Sequence, residues 1–223
     1  MMSDKGLLFI VSGASATGKD TVISQVMKNY GSKSKLSVSM TTREPRGSEK
    51  DGEDYFFVST EQFEKNILEN KMLEYAKYGE NYYGTPAEPV KKWLDEGKIV
   101  FLIIEVQGAA IVRANFPQAK SIFILPPSMK ALEERLRKRG TEDEEAIKMR
   151  LQIASCEIRR AEEYDYIVVN DRLSTAVKDV SAICQYEYKL ENDLTVEEEI
   201  ALLAEKYNKK NLKNIISEVI FNA

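Results

Sequence analysis

The sequence predicts an α/β fold: a five-stranded parallel sheet flanked by helices, broken once by a small strand-rich insertion and once by a helical hairpin. Three observations predict it. Short apolar runs, at residues 7–11, 99–104, 121–125 and 166–169, alternate with stretches of helical period. A glycine-rich segment joins the first of those runs to a helix pattern, and residues 35–85 carry turn signals and a hairpin pattern instead.

Leu7-Leu8-Phe9-Ile10-Val11 reads as a strand buried on both faces, and Val22, Ile23, Val26 and Met27 share one helical face. Between them, Gly13-Ala14-Ser15-Ala16-Thr17-Gly18-Lys19-Asp20-Thr21 has the spacing of a phosphate-binding loop. Such a loop curls its backbone N–H groups round an anion at a helix N-terminus, where unpaired donors and the helix dipole favour negative charge. Gly13 and Gly18 allow that path, and Lys19 reaches the terminal phosphates. The position after the lysine, where a hydroxyl usually ligates magnesium, holds Asp20. A carboxylate beside a triphosphate needs a cation between them, so Asp20 either holds Mg²⁺ or marks a loop that has lost part of its metal site. The plainer alternative, a glycine-rich turn that binds nothing, does not suit the flanking strand and helix.

Lys35-Leu36-Ser37-Val38-Ser39-Met40 alternates like a short strand and leads to Arg43 and Arg46 around Pro45. Two arginines there can grip a phosphate monoester by paired charge-assisted hydrogen bonds, with Ser39 adding a hydroxyl; taken alone, they are solvated surface. Residues 51–54 signal a turn, 55–58 a strand, and Ser59 with Gln62 a capping box. Residues 72–76 and 81–85 form a hairpin carrying Glu74, Tyr82 and Tyr83. A carboxylate can accept from the N1–H and 2-amino donors of a guanine edge, and tyrosines suit stacking and phosphate; hairpin packing is the alternative for the tyrosines. The core resumes with a helix from Pro86 to Leu94 closed by Gly97, and then an apolar strand ending in Glu105, where open α/β sheets bind ligands. Gln107-Gly108 opens the next helix.

Ser128 starts a helix with Leu132 and Leu136 on one side and Arg135 and Arg139 together on another, and Gly140 breaks it. Thr141 and Glu144 are expected to cap a second helix with an apolar stripe of Ile147, Leu151, Ile158 and Ala161, with Arg150 off the stripe. Such a hairpin can close over a triphosphate, or it can be a salt-bridged surface feature with the neighbouring glutamates. Residues 195–207 and 212–221 read as two amphipathic helices, docked on the chain's own core or, alternatively, mediating self-association.

The chain has 223 residues, 30% of them charged, with a net charge of −4, which fits one lobed folding unit and argues against nucleic-acid binding. No apolar stretch is long enough to cross a bilayer, so a soluble cytoplasmic protein with no membrane partner is expected. Cys156 and Cys184 lack metal-like or redox-like spacing and are expected to be buried free thiols. The chain has no histidine, which excludes a histidine base, a Ser-His-Asp triad and histidine-ligated zinc.

From about Leu7 to Ile183 the chain resembles guanylate kinases. The resemblance rests on Ser37-Val38-Ser39-Met40-Thr41-Thr42-Arg43-Glu44-Pro45-Arg46, Asp51-Gly52-Glu53-Asp54-Tyr55, Asn81-Tyr82-Tyr83-Gly84, Val106-Gln107-Gly108 and Arg139-Gly140-Thr141-Glu142. It implies a P-loop kinase core (1–34, 86–126 and 165–186), an inserted mixed-β GMP-binding lobe (35–85) and a helical lid (127–164), together a domain of residues 1–186. Residues 187–223 are left as a helical extension. It further implies Mg²⁺-dependent phosphoryl transfer from ATP to GMP. The loop residues Gly13, Ala14, Ser15, Ala16, Thr17, Gly18, Lys19, Asp20 and Thr21 would hold ATP, Asp20 would serve the metal, and Asn170 would lie near the adenine. By the same resemblance Ser39, Arg43, Arg46, Tyr55 and Tyr83 hold the GMP phosphate and Glu74, Thr85 and Glu105 read the guanine. Lys19, Arg43, Arg135, Arg139 and Arg150 surround the transferred group. Ile103 stands where the family usually has a second acid. Two rivals remain: a non-catalytic module of the same fold that binds a phosphopeptide, and a nucleoside monophosphate kinase with another acceptor.

Overall fold

The computed structural model describes residues 5–140, 143–212 and 215–221. β1 (Leu7–Ser12) runs into α1 (Lys19–Tyr30), and β2 (Ser34–Leu36) follows. The insertion supplies β3 (Met40–Thr41), β4 (Phe56–Phe57), α2 (Thr60–Leu68) and the hairpin of β5 (Met72–Tyr78) and β6 (Asn81–Pro86). The core resumes with α3 (Ala87–Asp95), β7 (Ile99–Ile103), α4 (Val106–Asn115) and β8 (Lys120–Leu125). A helical hairpin, α5 (Met129–Arg139) and α6 (Glu144–Arg159), precedes β9 (Tyr166–Val169), α7 (Leu173–Glu191), α8 (Glu198–Lys206) and α9 (Ile215–Phe221).

Five strands form the parallel sheet, in the order β2-β7-β1-β8-β9. All six residues of β1 are buried because helices cover both faces of the sheet. Leu8 and Ile10 pack toward α3, α4 and α9, while Leu7, Phe9 and Val11 pack toward α1, α7 and α8. This is the period-2 alternation of a strand with apolar partners on either side. Phe9 lies opposite Phe101 in register, with their rings stacked at 5.6 Å.

The insertion is a second, mixed sheet in the order β4-β3-β6-β5, as expected of a lobe added to a parallel core. The single strand expected over residues 35–40 divides. Ser34–Leu36 pairs with β7 in the core, whereas Met40–Thr41 pairs with β4 and β6 in the lobe, so residues 37–39 carry the chain from one sheet to the other. Ser59 caps α2 by accepting from the Gln62 N–H at 3.2 Å.

The helical hairpin sits on the glycine-rich loop: Leu132, Leu136 and Ala154 enclose Ala14 and Ala16. Ser128 caps α5, and Gly140 ends it in the left-handed region at φ 65°. Of the expected caps for α6, Thr141 lies outside the described residues, as does Glu142 of the motif; the N-cap is Asp143, which accepts from the Ala146 N–H at 2.8 Å. Glu144 stands in the first turn instead. Cys184 is buried as expected, but Cys156 is exposed, because it points away from the stripe that Ala154 and Ile158 turn inward.

The C-terminal segment docks on the chain's own core. Ile167 N–H donates to the Tyr207 carbonyl at 3.0 Å and Lys209 N–H to the Asp165 carbonyl at 3.1 Å, so residues 207–209 cover the outer edge of β9. Ile216 and Val219 of α9 join the core cluster that contains Ile158 and Ala161. Among the described residues no helix is long and apolar enough to cross a membrane.

Candidate active site

The loop after β1 is closed from three sides. Thr17 bonds back on the loop, its N–H and its hydroxyl both donating to the Ala14 carbonyl, at 3.2 and 2.8 Å. Gly18 has φ +85°, and a Cβ there would lie 2.6 Å from Asn170 Nδ2, so both backbone and neighbours require glycine. At Gly13 a Cβ would meet the Ile124 carbonyl oxygen at 2.5 Å. The Asn170 amide donates to the Thr17 carbonyl at 2.8 Å, and the Arg135 guanidinium donates to that carbonyl and to the Asn170 carbonyl at 3.3 and 2.7 Å. Arg150 reaches Ser15 Oγ at 3.0 Å. Two of the hairpin's arginines therefore point inward at the loop. Arg139 stands exposed at the last position of α5, and Arg137 is held outside by Glu133 and Glu144.

Lys19 and Asp20, at the start of α1, open into a cavity of about 860 Å³ between the core, the lobe and α6. Ser39, Tyr55 and Tyr83 line it from the lobe, Glu105 from the start of α4, and Arg150 and Glu157 from the hairpin. Glu74 lines it too, and it is buried: Thr85 Oγ1 donates to its Oε1 at 2.7 Å. Burial pushes the Glu74 carboxyl up from the usual carboxylate range, and the Thr85 hydroxyl and N–H oppose that rise. Gly108 presses against the same group, since a Cβ there would sit 2.5 Å from Glu74 Oε2.

Behind the tyrosines lies Arg43. Its guanidinium makes a two-pronged ion pair with Glu49 at 2.8 and 3.0 Å and stands over the rings of Tyr55 and Phe57 at 5.2 and 5.7 Å. Its side chain is 9% exposed and its Nε is buried without a partner. The same Glu49 accepts from the Arg46 N–H at 2.8 Å, while the Arg46 residue is exposed.

Comparison with known proteins decides the family. The family model for guanylate kinase matches residues 5–187. The chain is 47% identical to the guanylate kinase of Latilactobacillus sakei and 45% identical to that of Bacillus subtilis, each over 187 residues, 84% of this chain and 92% of the relative. The chain belongs to the guanylate kinase family. A solved guanylate kinase from Anaplasma phagocytophilum superposes with a TM-score of 0.68 at 32% identity, covering 84% of this chain and 89% of that one.

For a guanylate kinase family member, eight of the residues expected from the sequence gather round one cavity: Lys19, Asp20, Ser39, Tyr55, Glu74, Tyr83, Glu105 and Arg150 all line it. Thr85 stands behind Glu74, and Arg135 and Asn170 lock the loop from below. Arg43, Arg46 and Arg139 do not line the cavity, and Thr21 is exposed on the first turn of α1. Two participants escaped the sequence reading. Glu49, three residues beyond Arg46, pairs with the Arg43 guanidinium and accepts from the Arg46 backbone N–H; the close spacing of an acid to that pair was the available signal. Glu157, on the hairpin, faces Glu105, and nothing in its helical pattern set it apart from its charged neighbours.

Proposed function

We propose that this chain transfers the γ-phosphoryl group of ATP to GMP, giving ADP and GDP. One observation carries the reading: the phosphate-loop lysine and the guanine-type acceptors Glu74 and Glu105 open into the same cavity, so donor and acceptor nucleotides can meet there. ATP takes the loop from Gly13 to Thr21, with Asn170 toward the adenine. GMP takes the lobe, its phosphate held by Ser39, Tyr55, Tyr83, Arg43 and Arg46 and its base read by Glu74, Thr85 and Glu105. The cytoplasm, where both nucleotides are dissolved, is the expected place of action.

The chemistry needs no strong base, because a phosphate monoester is already largely ionised at neutral pH, and the chain has no histidine to offer. Catalysis is then positioning and charge stabilisation. Lys19 neutralises the moving phosphoryl group, with Arg135, Arg139 and Arg150 brought from the lid. The lid also excludes water, the competing acceptor. Asp20 fits a magnesium ion held mainly by nucleotide phosphates: it is an exposed hard oxygen donor beside Lys19, and no group of three or more acids among the described residues could hold a metal without substrate. Bound there, Mg²⁺ would offset charge on the transferring phosphates. Guanine is favoured over adenine because a carboxylate accepts from N1–H and the 2-amino group, whereas adenine N1 is itself an acceptor.

ADP release with ATP, Mg²⁺ and each of GMP, dGMP, AMP, CMP and UMP tests the reading. GMP should be the fastest acceptor. Release with none of them would favour the phosphopeptide-binding rival. Lys19→Ala should lower kcat by about 10²–10³-fold, the scale for losing one preorganised transition-state donor, while GMP still binds. Turnover at the parental rate would remove Lys19 from the chemistry.

A further inference from the structure

The hairpin brings one acid into the nucleotide cavity. Glu157, half-buried in the last turns of α6, lines the cavity near Glu105, and the two carboxyls lie within hydrogen-bonding reach of each other. The Tyr78 phenol lies within electrostatic range of Glu105, Glu74 and Glu157, the two proposed guanine acceptors among them. The same cavity is lined by Lys19 and Asp20 from α1, Glu74 and Tyr78 from β5, Tyr83 from β6, Glu105 at the head of α4, and Arg150 from its own helix; of these, Glu105 and Lys19 act on the Glu157 carboxyl. The neighbouring Ile158 turns the other way and packs with Ile216 and Val219 of α9. That packing fixes the turn of α6 from which Glu157 reaches.

Two carboxylates in contact repel, and one proton shared between them turns the repulsion into a hydrogen bond. Here burial, the charge of Glu105 and the hydrogen bond to it push the Glu157 carboxyl up to about 7, with Lys19 opposing. Glu105 itself is exposed to the cavity, so its side chain has rotamers to lose when it meets a base.

We propose that Glu157 is a positioning residue for guanine recognition: from the hairpin helix α6, its carboxyl shares one proton with Glu105 in a hydrogen bond and holds the Glu105 side chain toward the base. This rests on the GMP reading above and adds the lid to the reading of the base. The pair then carries one negative charge instead of two beside a ligand that is itself an anion, and Glu105 keeps a free oxygen for a guanine N–H. Above neutrality the shared proton is lost, and the second charge opposes GMP.

The test is calorimetric titration of the full chain with GMP from pH 6 to pH 8.5, for the parent and for Glu157→Gln. The glutamine amide keeps an N–H donor and does not titrate. GMP's own phosphate ionises in this range, but it does so identically in both titrations and cancels in their ratio. The parental Kd divided by the variant Kd should rise several-fold across the range, with a limit of about tenfold per pH unit for one linked proton. A flat ratio overturns the proposal. So does an equal change in the ATP titration, which would assign the effect to Lys19. Glu105→Gln is the second variant: burial still raises the Glu157 carboxyl there, but the carboxylate that Glu157 positions is gone, so the pH dependence specific to the parent should shrink, and its undiminished persistence also overturns the proposal. Parental protein that binds no GMP at any pH and releases no ADP would defeat the GMP reading itself, whereas active protein with a flat ratio defeats only the role of Glu157.

Discussion

Gly108→Ala sets two physical effects against each other at one atom. Gly108 is the third residue of α4, and alanine in a helix is favoured over glycine by about 1 kcal/mol, so propensity alone predicts a more stable protein. The added Cβ, however, would lie 2.5 Å from Glu74 Oε2 and 3.0 Å from its Cδ. Ordinary contact requires the carboxyl to withdraw by roughly 0.7–1 Å, a van der Waals gap. That group is the far end of a flexible side chain, so it can move without displacing backbone. What it loses is the 2.7 Å bond from Thr85 Oγ1 and its aim into the cavity. A hydrogen bond to a charged group is worth about 1.5–3 kcal/mol, or roughly 10–100-fold in affinity. The expected outcome is therefore split: a Tm equal to or above the parental value, a GMP KM raised about 10–100-fold, and an ATP KM that barely moves. Steady-state kinetics with each nucleotide varied in turn, beside a thermal melt, reads all three. An unchanged GMP KM would mean that Glu74 is not read by the base, and the guanine assignment would fail with it.

Two further outcomes follow from the same geometry. Glu49→Gln removes the charge that orients Arg43 and leaves a buried guanidinium with a weaker partner; GMP KM should rise several-fold in initial-rate assays while ATP KM holds, and an equal rise for both nucleotides would point to a general loss of structure. Deleting residues 213–223 removes the side chains of Ile216 and Val219, about 1.5–3 kcal/mol of burial each, against the ordering of one short helix. The net loss of about 2–4 kcal/mol corresponds to a Tm lowered by roughly 5–15 °C. A melt superimposable on the parental one would show that α9 adds nothing to the core.

The strands of the parallel sheet were legible because burial on both faces writes each as a continuous apolar run. Leu7 to Val11 and residues 99–103 cannot be read as half-exposed elements. The phosphate loop was legible because phosphate binding demands glycine at fixed positions, and the space around Gly13 and Gly18 shows why. What failed were features decided by distant partners. Ser34–Leu36 and Met40–Thr41 look like one strand until β7 claims the first and β6 the second. Cys156 looks like core until the orientation of α6 is fixed. In a chain with 30% charged residues, Glu49 and Glu157 are two acids among many, and only their neighbours separate them from solvated surface.

The same difficulty attends the arginines of the helical hairpin and of α4, and their partners resolve it. Arg137 faces the carboxylates of Glu133 and Glu144, and Arg113 and Arg160 share Glu163. A phosphate could recruit any of these only by displacing an existing anion, an exchange of like for like. Arg135 instead donates to two neutral carbonyls, those of Thr17 and Asn170. Trading a carbonyl for a phosphate oxygen converts a neutral acceptor into a charged one and roughly doubles the strength of the bond. Asn170 donates to the same Thr17 carbonyl, so loop, strand end and lid meet at one oxygen. On the function proposed above, a triphosphate bound in the loop would compete with those carbonyls for Arg135, and α5, which carries it, would be expected to follow. On that reading the hairpin of α5 and α6 would sense the donor nucleotide through Arg135, whose partners are neutral carbonyls, rather than through Arg137, Arg113 or Arg160, which are already paired with carboxylates.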